Sequence, residues 1–550
     1  MSTSRDPKTR AQTWCVAVAI VAAVLLAYLP LHEAGFINYD DDVWLTGNPR
    51  VRSGLTQAGV TWAFTTFQGG NWLPLTWLSH QLDWTLFGAN PLGHHLVNLA
   101  LHVANALLLF SLLRRLTGTL WRSALVAALF ALHPIHVESV AWVTERKDLL
   151  CACFTLLAAS AYRSCVSRPA GTRCAATVAL HALSLAAKPM SVTLPILLLI
   201  LDSWPLGRWR IDGSARPGTR LRLVVEKMPL LLLSASASAL ALVAQRTAGA
   251  MQFGEAFPAG TRVANAVCSL GAYLGQTLWP AGLAVFYPYR ATIPGGAIAA
   301  TAVLLAAISL AAWWFRHRAP MLLMGWLWYL VMLSPVLGLV QVGQQARADR
   351  YTYLGLTGIF LAATWGLGAI TGLSRSGARA APAVACALLA ACGALTWRQA
   401  GFWRDSVSLF THTLAVTAEN FPAHNNLGAA LYESGRPEDA KAQFEATLRI
   451  NPEHFNARAN LAVILLEGHK YAAAADQFQK LLAVQPRNFR LHVNLGNALL
   501  GLGRVEEALR HNEQAVLLAP ESPEAQRSLA RARGLFAQRS EVGTPTPPRR

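Results

Sequence analysis

Eleven apolar runs crowd the first 400 residues of this 550-residue chain, at about 14–29, 95–113, 119–141, 149–166, 174–187, 189–203, 226–245, 292–315, 319–341, 351–370 and 380–397. Each is long enough, or nearly so, to cross a hydrocarbon layer of about 30 Å as a helix. In lipid a helix satisfies its own backbone groups, which an irregular segment cannot do. Composition agrees: 53% of residues are apolar and 14% charged, roughly half the charged share of a soluble chain. Eighteen Trp and twenty Phe exclude disorder. Residues 1–400 hold 30 Lys/Arg against 14 Asp/Glu, and residues 401–550 hold 17 against 15. The basic excess therefore belongs to the apolar part, where it orients helices in a bilayer rather than forming a nucleic-acid groove. No nucleic-acid partner is expected.

With the N-terminus inside and eleven crossings, the inner segments collect 19 Lys/Arg and 4 Asp/Glu, the outer loops 11 and 10. Two segments decide that count. Residues 174–203 read as a hairpin turning at Lys188-Pro189, because a single span would leave a basic group on the wrong side. Residues 262–280, interrupted by Arg262, Asn265, Gln276 and Pro280, read as an interfacial helix in a long outer loop. Arg5, Lys8 and Arg10 ahead of the first run mark an uncleaved first helix rather than a signal peptide. An odd number of crossings puts the C-terminal part outside. The eight Cys show no zinc-type spacing and read as small lipid- or core-facing residues without a redox or metal role.

From residue 421 the chain repeats with a period of 34. Asn426, Asn460 and Asn494 are so spaced, as are Leu427, Leu461 and Leu495, then Ala440, Ala474 and Ala508, then Pro452, Pro486 and Pro520. Small residues where two helices touch and Pro closing the second are the tetratricopeptide pattern. Three repeats cover about 421–522. Trp403–Asn420 reads as the second helix of an incomplete repeat, and 523–538 as a capping helix. The expected fold is all-α: a multi-span membrane domain over 1–400, a repeat solenoid over 401–538, and a disordered tail over 539–550. Such a solenoid presents a concave groove to peptide or protein; a rigid spacer or dimerisation arm is the plainer alternative.

Chemistry, if present, lies in the outer loops. The first, about 31–94, opens with Asp40-Asp41-Asp42, whose mutual repulsion raises their pKa unless a cation compensates. That suits a general base, and Asp40-x-Asp42 also has the spacing to chelate a divalent ion, so metal use stays open. The alternative is a solvated acidic turn. Asn71, Trp72 and His80 in the same loop bring aromatic faces and polar groups suited to holding a sugar. His136, Glu138, Glu145 and Arg146 form a second outer patch that can orient reacting groups, or simply pair internally. Lys188, Arg347 and Arg350 are cations on the side where cations are few. Guanidinium matches phosphate oxygens with two donors at once, so these three are candidates for a lipid phosphate.

The triplet Asp40–Asp42, the stretches NWLPLT, LSHQLD, GHHLVN, HPIHVESVAWVTERKD, AAKPMSVT and ARADRYTYL, and the repeats behind them resemble the transmembrane and tetratricopeptide-repeat-containing O-mannosyltransferases and their bacterial relatives. The resemblance implies a GT-C-like membrane enzyme that takes sugar from a polyprenyl-phosphate carrier at the outer face. It implies Asp41 as base with Asp40 or Asp42 beside it, and matches Ala348-Asp349-Arg350 to a family motif near a later span. Gly355 stands where a Pro often follows the Tyr-Leu pair, and the repeats are few. The function expected is transfer of a sugar, most simply mannose, to Ser/Thr hydroxyls of a protein held by the repeats. No cofactor beyond the lipid-linked donor is implied. The competing readings are a non-enzymatic membrane adaptor that organises periplasmic partners, and a transporter. The composition points to a bacterial inner membrane with a periplasmic site, the equivalent elsewhere being luminal.

Overall fold

The computed structural model of the chain describes residues 7–209, 219–249, 257–289, 292–340, 343–366 and 375–542. Every one of the apolar runs has become helix within those bounds. In chain order the first unit carries α1 (Pro7–Ala27), α2 (Pro74–Phe87), α3 (Pro91–Thr117), α4 (Leu120–Leu132), α5 (Arg146–Ser167), α6 (Gly171–Ala187), α7 (Leu194–Ser203), α8 (Met228–Thr247), α9 (Ala259–Leu278), α10 (Gly295–Trp314), α11 (Pro320–Leu333), α12 (Leu356–Leu361) and α13 (Arg375–Gly401), with shorter helical turns between. The two described strands, β1 (Tyr287–Pro288) and β2 (Gln345–Arg347), pair antiparallel with Tyr287 opposite Arg347.

Among the described residues, six helices are long and apolar enough to cross a membrane, and seven if Leu120–Leu132 and Pro134–Ala141 form one span bent by 52°. The bend falls at Pro134, which has no N–H to give to the helix and crowds the preceding turn. The remaining runs form shorter apolar helices, Pro189–Ser203, Pro320–Val336 and Leu356–Gly366 among them. α10 leaves Val303, Leu304, Leu310, Trp313 and Trp314 exposed. An apolar surface of that extent needs lipid to cover it. The chain is a multi-pass membrane protein. α9 is not among the helices apolar enough to cross; it buries only the face carrying Asn265, Ala266, Ser269, Leu270 and Tyr273.

The helices run to and fro between two chemically distinct ends. At one end Arg163 donates to the Arg115 carbonyl at 3.0 Å, Cys165 and Cys174 form a disulfide joining α5 to α6, and the Tyr162 hydroxyl donates to Asp202 at 2.7 Å. Arg208 and Lys227 pair with Asp202 at that end, Lys227 fully buried. About 24 Å away along α5, by 1.5 Å per residue, Lys188 meets Asp148 and Glu145. The chain therefore does turn back at Lys188, where extended backbone separates α6 from the helical stretch that Pro189 opens. The disulfide corrects the expectation that no Cys has a redox role. A nine-residue separation spans the turn between two antiparallel helices, which brings the thiols together.

The first unit runs to Thr417, not to residue 400. Ser406–Val416, here α14, belongs to it and is not half of a repeat. Trp403 and Phe410 are buried, the Asn38 amide donates to Ser406 Oγ at 2.9 Å, and Tyr39 packs on Phe410. The second unit, Ala418–Arg550, is built of helix pairs: Phe421–Glu433 with Pro437–Ile450, Phe455–Glu467 with Tyr471–Val484, and Phe489–Gly501 with Val505–Leu518, closed by Pro523–Val542. The repeated Ala440, Ala474 and Ala508 are fully buried, as small residues between touching helices must be. Phe444 and Phe478 fill the first two pairs, but the same position of the third is Asn512, which Ser528 of the closing helix satisfies with a 2.8 Å bond. Of the tail expected to be disordered over 539–550, residues 539–542 continue the closing helix, and 543–550 lie outside the described residues.

Candidate active site

The acidic triplet sits where the first long loop folds back against the segment before α5. Its three carboxylates have separate environments. Asp41 is fully buried, accepting the Ile37 amide at Oδ2 (3.0 Å) and the Thr144 amide at Oδ1 (3.2 Å). Burial pushes its pKa up to about 7 against the pull of those two amides. Asp42 is exposed and opens the helical turn Asp42–Thr46. Asp40 is half-buried at φ 129°, a region disfavoured for a residue with a Cβ. Its pKa is raised to about 6, first by burial, with Lys147 and Arg350 pulling down and Glu145 pushing up. Of the three, Asp40 is the one that is both partly accessible and within the field of the neighbouring charges.

Those neighbours form a compact ionic cluster. Glu145 meets Lys147 Nζ at 2.8 Å, Lys188 Nζ at 3.4 Å and Arg350 Nε at 3.3 Å. Lys188 also pairs with Asp148. Arg350 gives its backbone amide to Glu138 at 2.9 Å and its guanidinium to the same carboxylate. Three acids thus balance three bases, all buried or nearly so. Trp142 floors the cluster: Tyr39 stacks on it at 5.0 Å, and the guanidinium of Arg350 lies 5.3 Å from its centroid. Beside it opens a small cavity of about 20 Å³. Asp148, Ser191, Arg350 and Tyr351 give its wall polar groups, and Met190, Met332 and Leu354 give it apolar ones.

The expected site residues divide accordingly. Glu138, Glu145, Lys188 and Arg350 come together, and Asp40 lies within the field of Glu145 and Arg350. Arg347 does not join Arg350: it lies over the Tyr287 ring at 4.0 Å, while the Tyr287 hydroxyl bonds both oxygens of Asp349 at 3.0 Å. Successive residues leaving a strand point in different directions, so neighbours in sequence part company. Arg146 turns away from Glu145 for the matching helical reason, about 100° per residue, and is buried against Asp83, Ser79, Asn98 and the His94 carbonyl. His80 is fully buried on that same side; among the described residues, His80, Asp83 and His94 also have the spacing to hold a metal ion. His136 is a core residue, bonding the Phe130 carbonyl at 2.8 Å and packing on Tyr353. Asn71 bonds Gly69 and Gln245, and Trp72 bonds Phe64, with no contact to the charge cluster. Sequence reasoning did not count Lys147, Asp148, Tyr39 or Trp142 among the site residues. The available signal was Glu145-Arg146-Lys147-Asp148 at the head of an apolar helix, where a 3.6-residue period puts 145 and 148 on one side and 146 on another.

Residues 425–489 and 465–532 match family models of the tetratricopeptide repeat. Protein O-mannosyl-transferase Tmtc1 of Drosophila melanogaster is 32% identical over 200 residues, covering 35% of this chain and 23% of its own length. Tmtc2 of the same organism is 33% identical over 202 residues (34% and 21%), and human protein O-mannosyl-transferase TMTC4 is 25% identical over 419 residues (66% and 56%). The chain is similar to proteins named protein O-mannosyl-transferases, and its C-terminal part matches the tetratricopeptide repeat. It spans about half the length of the human relative, and the two insect matches cover less than a quarter of theirs. The resemblance read from the motifs is thereby borne out, as is the helical fold ending in repeats.

Proposed function

We propose that the chain is a glycosyltransferase that moves a sugar, most simply mannose, from a polyprenyl-phosphate carrier to Ser/Thr hydroxyls of a protein. The observation that carries this reading is the buried ionic cluster of Glu138, Glu145, Lys147, Lys188, Asp148 and Arg350 beside a cavity walled by both polar and apolar groups, with the partly accessible Asp40 in its electrostatic field. A carboxyl with a pKa of about 6 is largely ionised at neutral pH yet basic enough to take a hydroxyl proton. In the step proposed, the hydroxyl oxygen attacks the anomeric carbon as its proton passes to Asp40. The bond from that carbon to the phosphate oxygen breaks, and the carrier phosphate leaves with the electron pair, inverting the centre. Arg350 and Lys188 stabilise the phosphate, and because acids already fix them in place they need no reorganisation at that moment. The apolar wall at Met190, Met332 and Leu354 suits the first isoprenoid units. Asp40 thus takes the base role that the family resemblance assigns to Asp41, whose oxygens are both committed to backbone amides.

In this reading the charge cluster faces the outer side of a bacterial inner membrane, or the lumen in a eukaryotic one, and the repeats hold the protein acceptor. Arginine-rich turns at the opposite end of the bundle support that orientation. The test is transfer of labelled sugar from polyprenyl-phosphate mannose in membranes carrying wild type or Asp40→Asn. Loss of labelling at normal protein level supports the enzyme. Undiminished labelling ends this assignment of Asp40, and no labelling by wild type with any lipid-linked sugar favours the adaptor.

A further inference from the structure

A second polar cluster, behind the acidic turn, takes no part in that reaction. His80 and Asp83 stand three residues apart on α2, hence on one face, and His94 in the first turn of α3 meets them. All three are buried. One ring nitrogen from each His and one oxygen of Asp83 lie within 4.8 Å of one another. His80 is fully buried, yet neither ring nitrogen has a hydrogen-bond partner. Buried polar atoms are nearly always paired, so two orphans on one ring require an explanation. His94 supplies a matching one. Its Nε2 lies 3.0 Å from the Gly88 carbonyl, an acceptor, which makes Nε2 the N–H and leaves the lone pair on Nδ1. That Nδ1 has no hydrogen-bond partner and lies 3.5 Å from Asp83 Oδ2. A lone pair facing a carboxylate oxygen is repulsive unless a proton or a metal cation lies between them, and 3.5 Å is long for a hydrogen bond.

We propose that His80, Asp83 and His94 bind a divalent transition-metal ion, zinc by the chemistry of the donors, which staples α2 to α3. Two imidazoles and one carboxylate suit zinc and its neighbours far better than magnesium or calcium, which take oxygen ligands. Metal bonds near 2.0–2.2 Å place tetrahedral ligand atoms roughly 3.4 Å apart, so small side-chain rotations close the observed spacing. The surroundings are those of a built site. The Gly88 carbonyl fixes the His94 tautomer, and Arg146 orients Asp83 through Oδ2 at 2.7 Å while the carboxylate keeps a second oxygen to offer. Arg146 also brings a positive charge, which two strongly binding neutral imidazoles must offset and which weighs further against hard cations.

The test is metal analysis of the purified full-length chain, before and after exchange with cobalt(II). Wild type should carry a single zinc per chain and give tetrahedral cobalt absorption. The His80→Ala/His94→Ala double variant should lose both. Should that variant not fold, His80→Cys serves: it should keep the metal and add a thiolate-to-cobalt charge-transfer band absent from wild type. Wild type that neither carries nor takes up metal overturns the proposal. So does a folded double variant with undiminished metal, or a folded His80→Cys chain that lacks the new band.

Discussion

Asp40 and Asp41 are neighbours with opposite tasks, and the difference is one of partners. Asp41 ties two segments through the amides of Ile37 and Thr144. Asp41→Ala leaves both donors buried without acceptors, at about 1–3 kcal/mol each, and should lower the melting temperature sharply. The linkage has a definite sign. The folded pKa, about 7, lies above the ordinary value of 3.8, so the folded chain holds a proton that the unfolded chain releases. That contribution to stability is full below about pH 4 and is lost as pH rises through about 7. Melting of wild type should therefore fall across this window, and melting of Asp41→Asn should fall less. Under the proposed function Asp40 governs rate instead. Asp40→Asn should cut sugar transfer about 10²–10⁴-fold, the usual reach of a positioned base, at unchanged protein level. Wild-type transfer should decline with a slope of one proton as pH drops through about 6, measured with a saturating acceptor.

At the scale of elements, the segment that delivers Arg350 depends on how closely α11 and α12 approach. Gly325 and Gly358 face each other there: a Cβ on either would lie 2.3 Å from the carbonyl oxygen of the other. Gly358→Ala should force the helices apart, at about 1–3 kcal/mol, and should reduce transfer through the displaced Arg350, checked by thermal melting and activity on one preparation. Glu138 and Glu145 depend on the same guanidinium. Arg350→Met should therefore be harsher than Arg350→Lys, since it strands the buried Glu138 carboxylate and takes one of three cations from Glu145, typically about 3–5 kcal/mol for breaking one such pair. In the repeats, Ser528→Ala removes a partner of buried Asn512. The loss should destabilise the last helix pair by about 1–3 kcal/mol, seen as faster amide exchange in Val505–Leu518 than in the first pair.

For the molecule as a whole, two ends of unlike chemistry are the organising fact. The disulfide between Cys165 and Cys174 stands among Arg163, Arg168 and Arg173, at the end that the proposed orientation assigns to the reducing cytoplasm. Under that orientation both thiols should react with a membrane-permeant maleimide in living cells and become protected only after air oxidation of the purified chain. Protection in cells without prior oxidation would reverse the orientation.

Much of this architecture is legible in the amino-acid sequence. Hydropathy locates the apolar helices, of which six or seven among the described residues are long enough to cross a membrane, and the 34-residue step locates the repeats because each unit packs by the same residues. The two-ended charge pattern is legible for the same reason, since it follows from composition along the chain. The α14 segment misleads because a lone amphipathic helix beside a repeat carries no mark of which unit it joins; buried Trp403 and Phe410 decide that. The site is legible as a set of residues but not as a geometry. Asp40 and Asp41, Glu145 and Arg146, and Arg347 and Arg350 are close neighbours in sequence, yet each pair is split between different surroundings. Helix phase, strand alternation and one left-handed turn send them apart, and contacts from segments up to 212 residues away, as between Glu138 and Arg350, choose their partners. The chain alone determined where helices form and which end of each carries charge, because those are local properties of hydropathy and period. Which carboxylate is left free beside the cations was decided only by tertiary packing, because burial and hydrogen-bond pairing depend on groups the local sequence does not contain.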